Sequence, residues 1–403
     1  MDYNTKYGIT LSQEVVKIKL KLILYDLIKT FKETNLNIKL LILSVPILFL
    51  SYPITAVFLV FMFFYSFTDK KTIINVVKSP GFIFFALFAL IAIISPVINK
   101  NWLGLIAGIA ALMITLIGLY YRTVMTEPLF NLILDISCLC SIVCSLIAIV
   151  QKLSSLNLVE VYRPVSTFMN ANYFGCISEF MIIICIYKLI YNNDRSGISF
   201  YGIALLANLI SLYLSGSYSS VLGIVTGIFI LLLYAKKYKK IIAVSIVFIS
   251  IAAILVLFPV LMPRITSDVE TTASLRLTIW NEALRAFLNH PLFGQGLLSY
   301  FKVSREMGVY VQPHSHSIYI DVLLNFGIIG TLMIISYTFI LLKNTYFEIK
   351  RSGRLPNIGL ALAIASAVMT HGISDVTILW MQTSAFFIVL FSGIDIKKQI
   401  DCD

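Results

Sequence analysis

The sequence predicts an all-α polytopic membrane protein of about twelve transmembrane helices. A large extracytoplasmic loop containing an amphipathic helix and two cytoplasmic termini complete the expectation. Three observations predict this class. Hydrophobic residues make up 59% of the 403 positions and charged residues only 13%, about half the roughly 25% of an average soluble domain. Apolar runs of span length recur along most of the chain, and its mean hydropathy is +0.91. Lysines and arginines gather in short blocks between those runs, as positive-inside loops do. A soluble enzyme, a disordered chain and a nucleic-acid-binding domain are excluded, because 13% charge cannot clothe a water-facing surface of this size. The net charge of +11 therefore points to membrane lipid as a partner, through anionic headgroups, and not to nucleic acid.

Residues 1–39 read as a cytoplasmic amphipathic segment. Val15, Ile18, Leu22, Tyr25, Leu27 and Ile28 recur at near-helical spacing, with lysines between them, which predicts a helix lying on the leaflet. Lysines interrupt it too often for a first span, and no cleavable signal peptide is expected. Residues 40–258 hold transmembrane helices 1–9. The run 40–67 is long for one span and breaks at Tyr52-Pro53, so it predicts a hairpin of two short helices. Basic residues on both of its flanks require that it cross twice. Further spans are expected at 81–98, 102–121, 129–150, 171–191, 199–214, 219–235 and 241–258. Residues 259–316 form the large extracytoplasmic loop, and 317–395 hold helices 10–12, at 317–342, 357–373 and 377–395. Residues 396–403 are a cytoplasmic tail. No internal repeat is evident, which weakens a transporter built from inverted halves.

The large loop reads as ordered. Ser274 is a plausible N-cap, and Leu277, Trp280, Leu284, Phe287 and Leu288 then form one apolar face. The helix ends at His290-Pro291, and Gly294-Gln295-Gly296 follows as a tight turn. Such a helix rests on the bilayer or caps a cavity, and a lid without chemistry is its plain alternative.

Four histidines, His290, His314, His316 and His371, fall on the external half. A neutral imidazole is well matched to take a proton from a sugar hydroxyl near pH 7, although a histidine at a membrane boundary is ordinarily only a polar helix start. Arg163, Arg264, Arg276, Arg285 and Arg305 lie on the same side. Singly they read as loop solubility; together they offer forks for phosphate oxygens. Asn170 and Asn172 give amide donors and acceptors for sugar hydroxyls, and a plain helix cap explains one of them equally well. Asp135, Glu179, Asp321 and Asp375 are costly inside spans. The pairs His316 with Asp321 and His371 with Asp375 either orient a site or satisfy each other between helices. Five cysteines lie in apolar runs and Cys402 in the tail; no spacing suggests a metal site or a disulfide framework.

Three stretches carry a family resemblance. They are His316-Ser317 followed by Gly327-x-x-Gly330, then Arg276…Trp280…Pro291-Leu292-Phe293-Gly294-x-Gly296, and Ser166-Thr167-Phe168-x-Asn170-x-Asn172. The chain from about residue 80 onward resembles the O-antigen ligase and O-antigen polymerase superfamily of lipid-linked polysaccharide enzymes. The resemblance implies an inverting glycosyl transfer on the outer face, with no metal and no cofactor, from an oligosaccharide on undecaprenyl diphosphate. It implies His316 as the base on the acceptor hydroxyl and Arg276 at the departing diphosphate. Arg163, Asn170, Asn172, Arg264, Arg305 and His314 are expected to bind substrate. One departure stands out. The superfamily commonly has a Ser-Arg pair at the outer end of span seven, whereas Tyr218 stands there within Ser215-Gly216-Ser217-Tyr218, so Tyr218 joins the substrate-binding set.

Two reactions remain. A polymerase adds glycan to a lipid-linked repeat unit, and a ligase adds it to lipid A-core or another acceptor. The polymerase is the preferred expectation, with a chain-length regulator as a further partner. A lipid-linked oligosaccharide flippase would need polar residues along a path through the membrane. A peptidoglycan-type glycosyltransferase would prefer an external carboxylate as base.

Overall fold

In the computed structural model, residues 3–68, 70–155, 163–192, 194–258, 266–353 and 355–394 are described. Among them the chain is helical, with no strand. α1 (Tyr3–Glu33) precedes a helical hairpin, α2 (Leu36–Leu48) and α3 (Tyr52–Ser66). The short α4 (Lys70–Val77) leads to α5 (Phe82–Ile98), α6 (Trp102–Val124) and α7 (Glu127–Ser154). Next come α8 (Ala171–Tyr191), α9 (Arg195–Ser215), α10 (Tyr218–Tyr234) and α11 (Tyr238–Leu257). The loop region contributes α12 (Thr266–Asn289) and α13 (Ser299–Met307). α14 (Ile318–Ser352), α15 (Pro356–His371) and α16 (Met381–Phe391) close the fold. Among the described residues, six helices are long and apolar enough to cross a membrane, and six shorter apolar helices of 10–17 residues accompany them. The chain is a polytopic membrane protein.

α8 is the axis of the bundle. Phe180, Met181, Ile183, Ile184 and Cys185 have no exposed surface, and α7, α9, α10 and α15 pack around them. A helix apolar on every side belongs in the middle of its neighbours. α10 meets α15 through Gly223-x-x-x-Gly227, where a Cβ on either glycine would lie about 3 Å from a carbonyl of Ala367 or Ala363. Small residues four apart let two backbones approach closely where lipid offers no hydrophobic drive. α11 is instead apolar and exposed on most of its surface.

The hairpin predicted at Tyr52-Pro53 is present, with Pro53 in the first turn of α3. α1 is a helix as expected, and it also packs on the bundle through Ile23, which is 1% exposed, against α9 and α7. The helix expected from Ser274 begins eight residues earlier, at Thr266. Ser274 is therefore interior to it, and its carbonyl accepts from the Thr278 hydroxyl. The run 377–395 is not one continuous helix. Residues Thr377–Leu379 form a 3₁₀ turn, and α16 covers only Met381–Phe391.

α14 breaks at Gly327, whose φ of 65° and ψ of −172° leave the helical region. The free carbonyls and amides at the break pair with the 291–296 loop. Ile328 N–H donates to Pro291 O at 2.8 Å and Ile329 N–H to Leu292 O at 3.0 Å. In return Gln295 N–H reaches Leu324 O and Gly296 N–H reaches Asn325 O. A Cβ on Gly294 would lie 2.4 Å from the Asn325 carbonyl carbon, and one on Gly327 would lie 2.4 Å from that of Leu292. Both positions also have positive φ, so only glycine fits either without strain.

Candidate active site

One end of the bundle gathers ionisable groups from four segments. Pro164 to Asn170 lead into α8 without helical structure, and Asn170 caps that helix, its Oδ1 accepting from Asn172 N–H at 2.7 Å. The cap turns Asn172 inward. Its Oδ1 accepts from Arg163 Nη2 at 2.5 Å, and its Nδ2 donates to Asp375 Oδ2 at 2.7 Å. Arg163 Nε donates to Ser215 O at 2.7 Å. The guanidinium is thus held against the α9–α10 turn, three residues before Tyr218.

Asp375 follows α15 and is 2% exposed. Val376 N–H donates to its Oδ1 at 2.8 Å, and two imidazoles approach the same oxygen. His316 Nδ1 lies 3.4 Å away and His314 Nε2 4.0 Å away. The His316 contact is close in distance but not aligned as a hydrogen bond. Burial pushes the Asp375 carboxyl upward, but the contact with His316 and the charges of His314, His316 and His371 outweigh it. The carboxyl is held below its ordinary range and is ionised at neutral pH.

His316 has φ of 55°, a left-handed backbone that non-glycine residues adopt at a cost and that clusters at functional sites. Two bonds hold this turn. Ser315 N–H donates to Asp321 Oδ1 at 2.8 Å, and His316 N–H donates to His314 Nδ1 at 3.3 Å. Accepting on Nδ1 places the proton of neutral His314 on Nε2, facing Asp375. Burial lowers the pKa of His314; Asp375 opposes this, while His316 and the Arg276 charge push the same way. Arg276, on α12, therefore acts electrostatically on the His314 imidazole.

Beneath this layer, His371 turns from Asp375 to Glu179. Its Nδ1 is 2.6 Å from Glu179 Oε2 and its Nε2 3.1 Å from Thr377 Oγ1. Asp321 likewise serves Ser315 and Asn325, whose Nδ2 donates to Asp321 Oδ2 at 3.0 Å, and not the His316 ring. The pairings expected from sequence spacing are therefore replaced by bonds between distant segments.

Of the predicted residues, the structure brings His316, His314, Arg163, Asn172 and, through its charge, Arg276 into one cluster. Tyr218 opens α10 with its hydroxyl buried and without a hydrogen-bond partner. Asn170 is the helix cap. Arg305 is exposed on α13, with its guanidinium over the Phe301 ring. Arg264 lies outside the described residues. His290 lines an apolar groove and not this cluster. One residue missed by sequence reasoning belongs here. Trp380 stacks on Tyr173 and lies edge-on to His314, at ring separations of 5.1 Å and 6.1 Å; its boundary position was the only signal. Asp375 was visible as a costly acid, but its partners were not.

Two groups have metal-ligand composition, His314, His316 and Asp375, and the buried Cys176, Glu179 and His371. In the first, a metal at His314 Nε2 would need the edge that carries the ring proton. In the second, the only described hydrogen bonds of His371 already use both ring nitrogens.

The cluster pairs an imidazole whose second nitrogen faces a carboxylate with two cations nearby. It can accept a proton at His316 Nε2 and bind anionic oxygens at the arginines. Comparison with curated proteins finds no match to this chain. A family model described as O-antigen ligase matches residues 202–335, a segment that contains Tyr218, Arg276, His314, His316 and the Gly294–Gly327 contact. In that segment the chain is similar to the O-antigen ligase and polymerase superfamily.

Proposed function

We propose that the protein is a polymerase of cell-surface polysaccharide. It transfers glycan from undecaprenyl diphosphate to a lipid-linked repeat unit on the outer face of the cytoplasmic membrane. The observation that carries this reading is the chain Arg163–Asn172–Asp375–His316, which couples a cation to a base through two hydrogen bonds and one close contact.

Asp375 holds the Nδ1–H edge of His316, leaving Nε2 as the lone pair, as in a His–Asp dyad. The acceptor hydroxyl gives its proton to Nε2 as its oxygen bonds to the anomeric carbon of the donor sugar. The bond from that carbon to the diphosphate oxygen breaks on the opposite face, so configuration inverts. The electron pair leaves with the diphosphate, whose growing charge Arg163 and Arg276 neutralise. Arg163, held at the α9–α10 turn, supplies the charge that relatives place at the position of Tyr218. The Tyr218 hydroxyl is then a donor for a diphosphate or sugar oxygen. Asn172 and Asp375 are positioning residues.

The family description favours a second reading, the ligase. Purified protein is incubated with undecaprenyl-diphosphate-linked repeat units and EDTA, with His316→Asn in parallel. A ladder of products from wild type alone is expected. Transfer seen only after addition of a core acceptor establishes the ligase, and no product under either condition defeats both readings.

A further inference from the structure

The site end of the bundle carries an aromatic pair that the proton-transfer chain does not use. Trp380 stands at the start of α16, where its extended backbone, with φ of −88° and ψ of 147°, makes it the N-cap. The Thr383 hydroxyl bonds both Thr377 O and Trp380 O, which ties the 3₁₀ turn to the helix at this residue. Gln382 Nε2 donates to Leu48 O at 3.2 Å and to Leu50 O at 2.7 Å, fixing the start of α16 against the α2–α3 turn. The indole then stacks on Tyr173, with the two planes 29° apart. Tyr173 comes from the first turn of α8, next to Asn172. The pair is held in place before any ligand arrives, which lowers the cost of binding.

Aromatic residues at a membrane boundary ordinarily form a belt at the lipid headgroups. Trp380 differs in its neighbour. It meets the edge of His314, a ring only 7% exposed that lies 4.5 Å from the His316 ring. The contacts run in order from Arg163 through Asn172 and Asp375 to the two imidazoles, and then to Trp380. A cation stands at one end of this order, an aromatic surface at the other, and the base between them. Inversion puts the acceptor oxygen and the departing diphosphate on opposite sides of the anomeric carbon, so the acceptor belongs at the end away from Arg163. Trp380 and Tyr173 are both half-buried, which leaves part of each ring to a ligand. Asn170, three residues before Tyr173, is exposed and uses its Oδ1 for the helix cap, leaving its amide nitrogen to donate.

We infer that Tyr173 and Trp380 form the subsite for the acceptor sugar, a neutral pyranose with an unbroken C–H face. Such a ring has a polar edge of hydroxyls and an apolar face whose C–H bonds suit the negative face of an aromatic ring. Stacked there, it presents its edge to Asn170 and to His316 Nε2. The aromatic pair thereby sets which hydroxyl reaches the base, and hence which linkage forms. The inference rests on the proposed function for the presence of an acceptor, and it holds for polymerase and ligase alike.

The test uses the full chain in lipid nanodiscs and two soluble probes. One is the oligosaccharide released by mild acid from the native lipid-linked repeat unit, and the other is a deacylated lipid A-core glycan. Neither carries the polyprenyl diphosphate, so each can bind only as acceptor. Saturation-transfer NMR with irradiation of aromatic protons should give its strongest signals on the C–H protons along one face of one ring, in one of the probes. Affinity for that probe should fall about tenfold in Trp380→Ala and less than about threefold in Trp380→Phe, which keeps a stacking ring. With donor saturating, the acceptor KM should rise by the same factor while the donor KM stays unchanged. Signals spread evenly over several rings, equal affinity in Trp380→Ala and wild type, or binding of neither probe would overturn the inference. A belt residue would lower the unfolding midpoint in Trp380→Ala without moving the affinity. Wild-type spectra decide even where Trp380→Ala fails to fold. Binding needs no turnover, so a one-face signal without polysaccharide synthesis would leave a sugar site and sink the enzyme reading alone. Synthesis without that signal would sink the subsite alone.

Discussion

α8 carries a polar cluster at each end, and the two are built differently. At one end Lys188 Nζ is bonded to Asp135 Oδ1 at 3.0 Å and to Asn131 O and Oδ1. Lys19 reaches Asp135 Oδ2 from α1 at 3.1 Å, and Tyr201 donates its hydroxyl to Oδ1 at 2.7 Å. Both carboxylate oxygens and the Lys188 ammonium are engaged. At the other end, about 24 Å away along the helix, Asn172 leads to Asp375. There His316 Nδ1 lacks an aligned bond and the Tyr218 hydroxyl has no partner. The same kinds of residue make a closed knot in one place and an incomplete network in the other. A satisfied network holds helices in place, whereas unmet donors and acceptors in a buried site mark where a substrate completes the bonding.

The largest effect that separates the two ends concerns the base. His316→Asn removes the imidazole while keeping a residue that tolerates positive φ. Polymer formation should fall by about 10²–10⁴-fold with the unfolding midpoint near that of wild type. A variant that loses stability in proportion to its activity would mean that His316 is structural. The opposite end should behave in reverse. Asp135→Asn leaves Lys19 and Lys188 facing each other without a counter-charge, a loss of about 3–5 kcal/mol. Thermal unfolding of the nanodisc-embedded protein would read it. Turnover per folded molecule should be unchanged, and the triple replacement Lys19→Met, Asp135→Leu, Lys188→Met should recover much of the stability.

How much of this was legible in the sequence follows the range of the interactions. Apolar runs bounded α8 at 171–191 and broke α2 from α3 at Pro53, because those limits depend on local composition. α4 and α13 were missed, being short and amphipathic, and α12 was started late because Ser274 looked like a cap inside a longer helix. His314, His316, Arg163 and Asn172 were legible as polar residues at the edges of apolar runs. Their order was not, since Asn172 and Asp375 are 203 residues apart. Two motif stretches acquire one physical cause only in three dimensions, where the backbones at Gly294 and Gly327 touch.

A smaller effect sharpens the assignment of Arg163. Arg163→Lys keeps the charge but cannot bond Ser215 O and Asn172 Oδ1 together through one planar fork. kcat/KM for the lipid-linked donor should fall about 10–100-fold, and Asn172→Ala should give a loss of similar size. If Arg163→Lys were neutral while Arg163→Ala were inactive, charge alone would suffice and the bonded geometry would carry nothing.

The smallest expected effect is on the pH dependence of stability. Burial sets the pKa of folded His314 below its ordinary 6.5, so the unfolded chain takes up this proton first as pH falls. Stability from neutral His314 is present above about pH 6.5 and declines below it, by less than about 1.4 kcal/mol per pH unit. Asp375 also has a lowered folded pKa, but its own contribution is lost only below about pH 4, as pH falls through the folded value. Between pH 7 and 5 His314 therefore adds to the slope while Asp375 does not, and His314→Gln should remove that share in unfolding midpoints measured by intrinsic fluorescence. Asp375→Asn removes the charge that pulls the His314 pKa upward, widens the gap from the unfolded value, and should steepen the same slope. A slope unchanged by His314→Gln and by Asp375→Asn would mean that the two side chains are not coupled, and the site end would lose half of its electrostatic account.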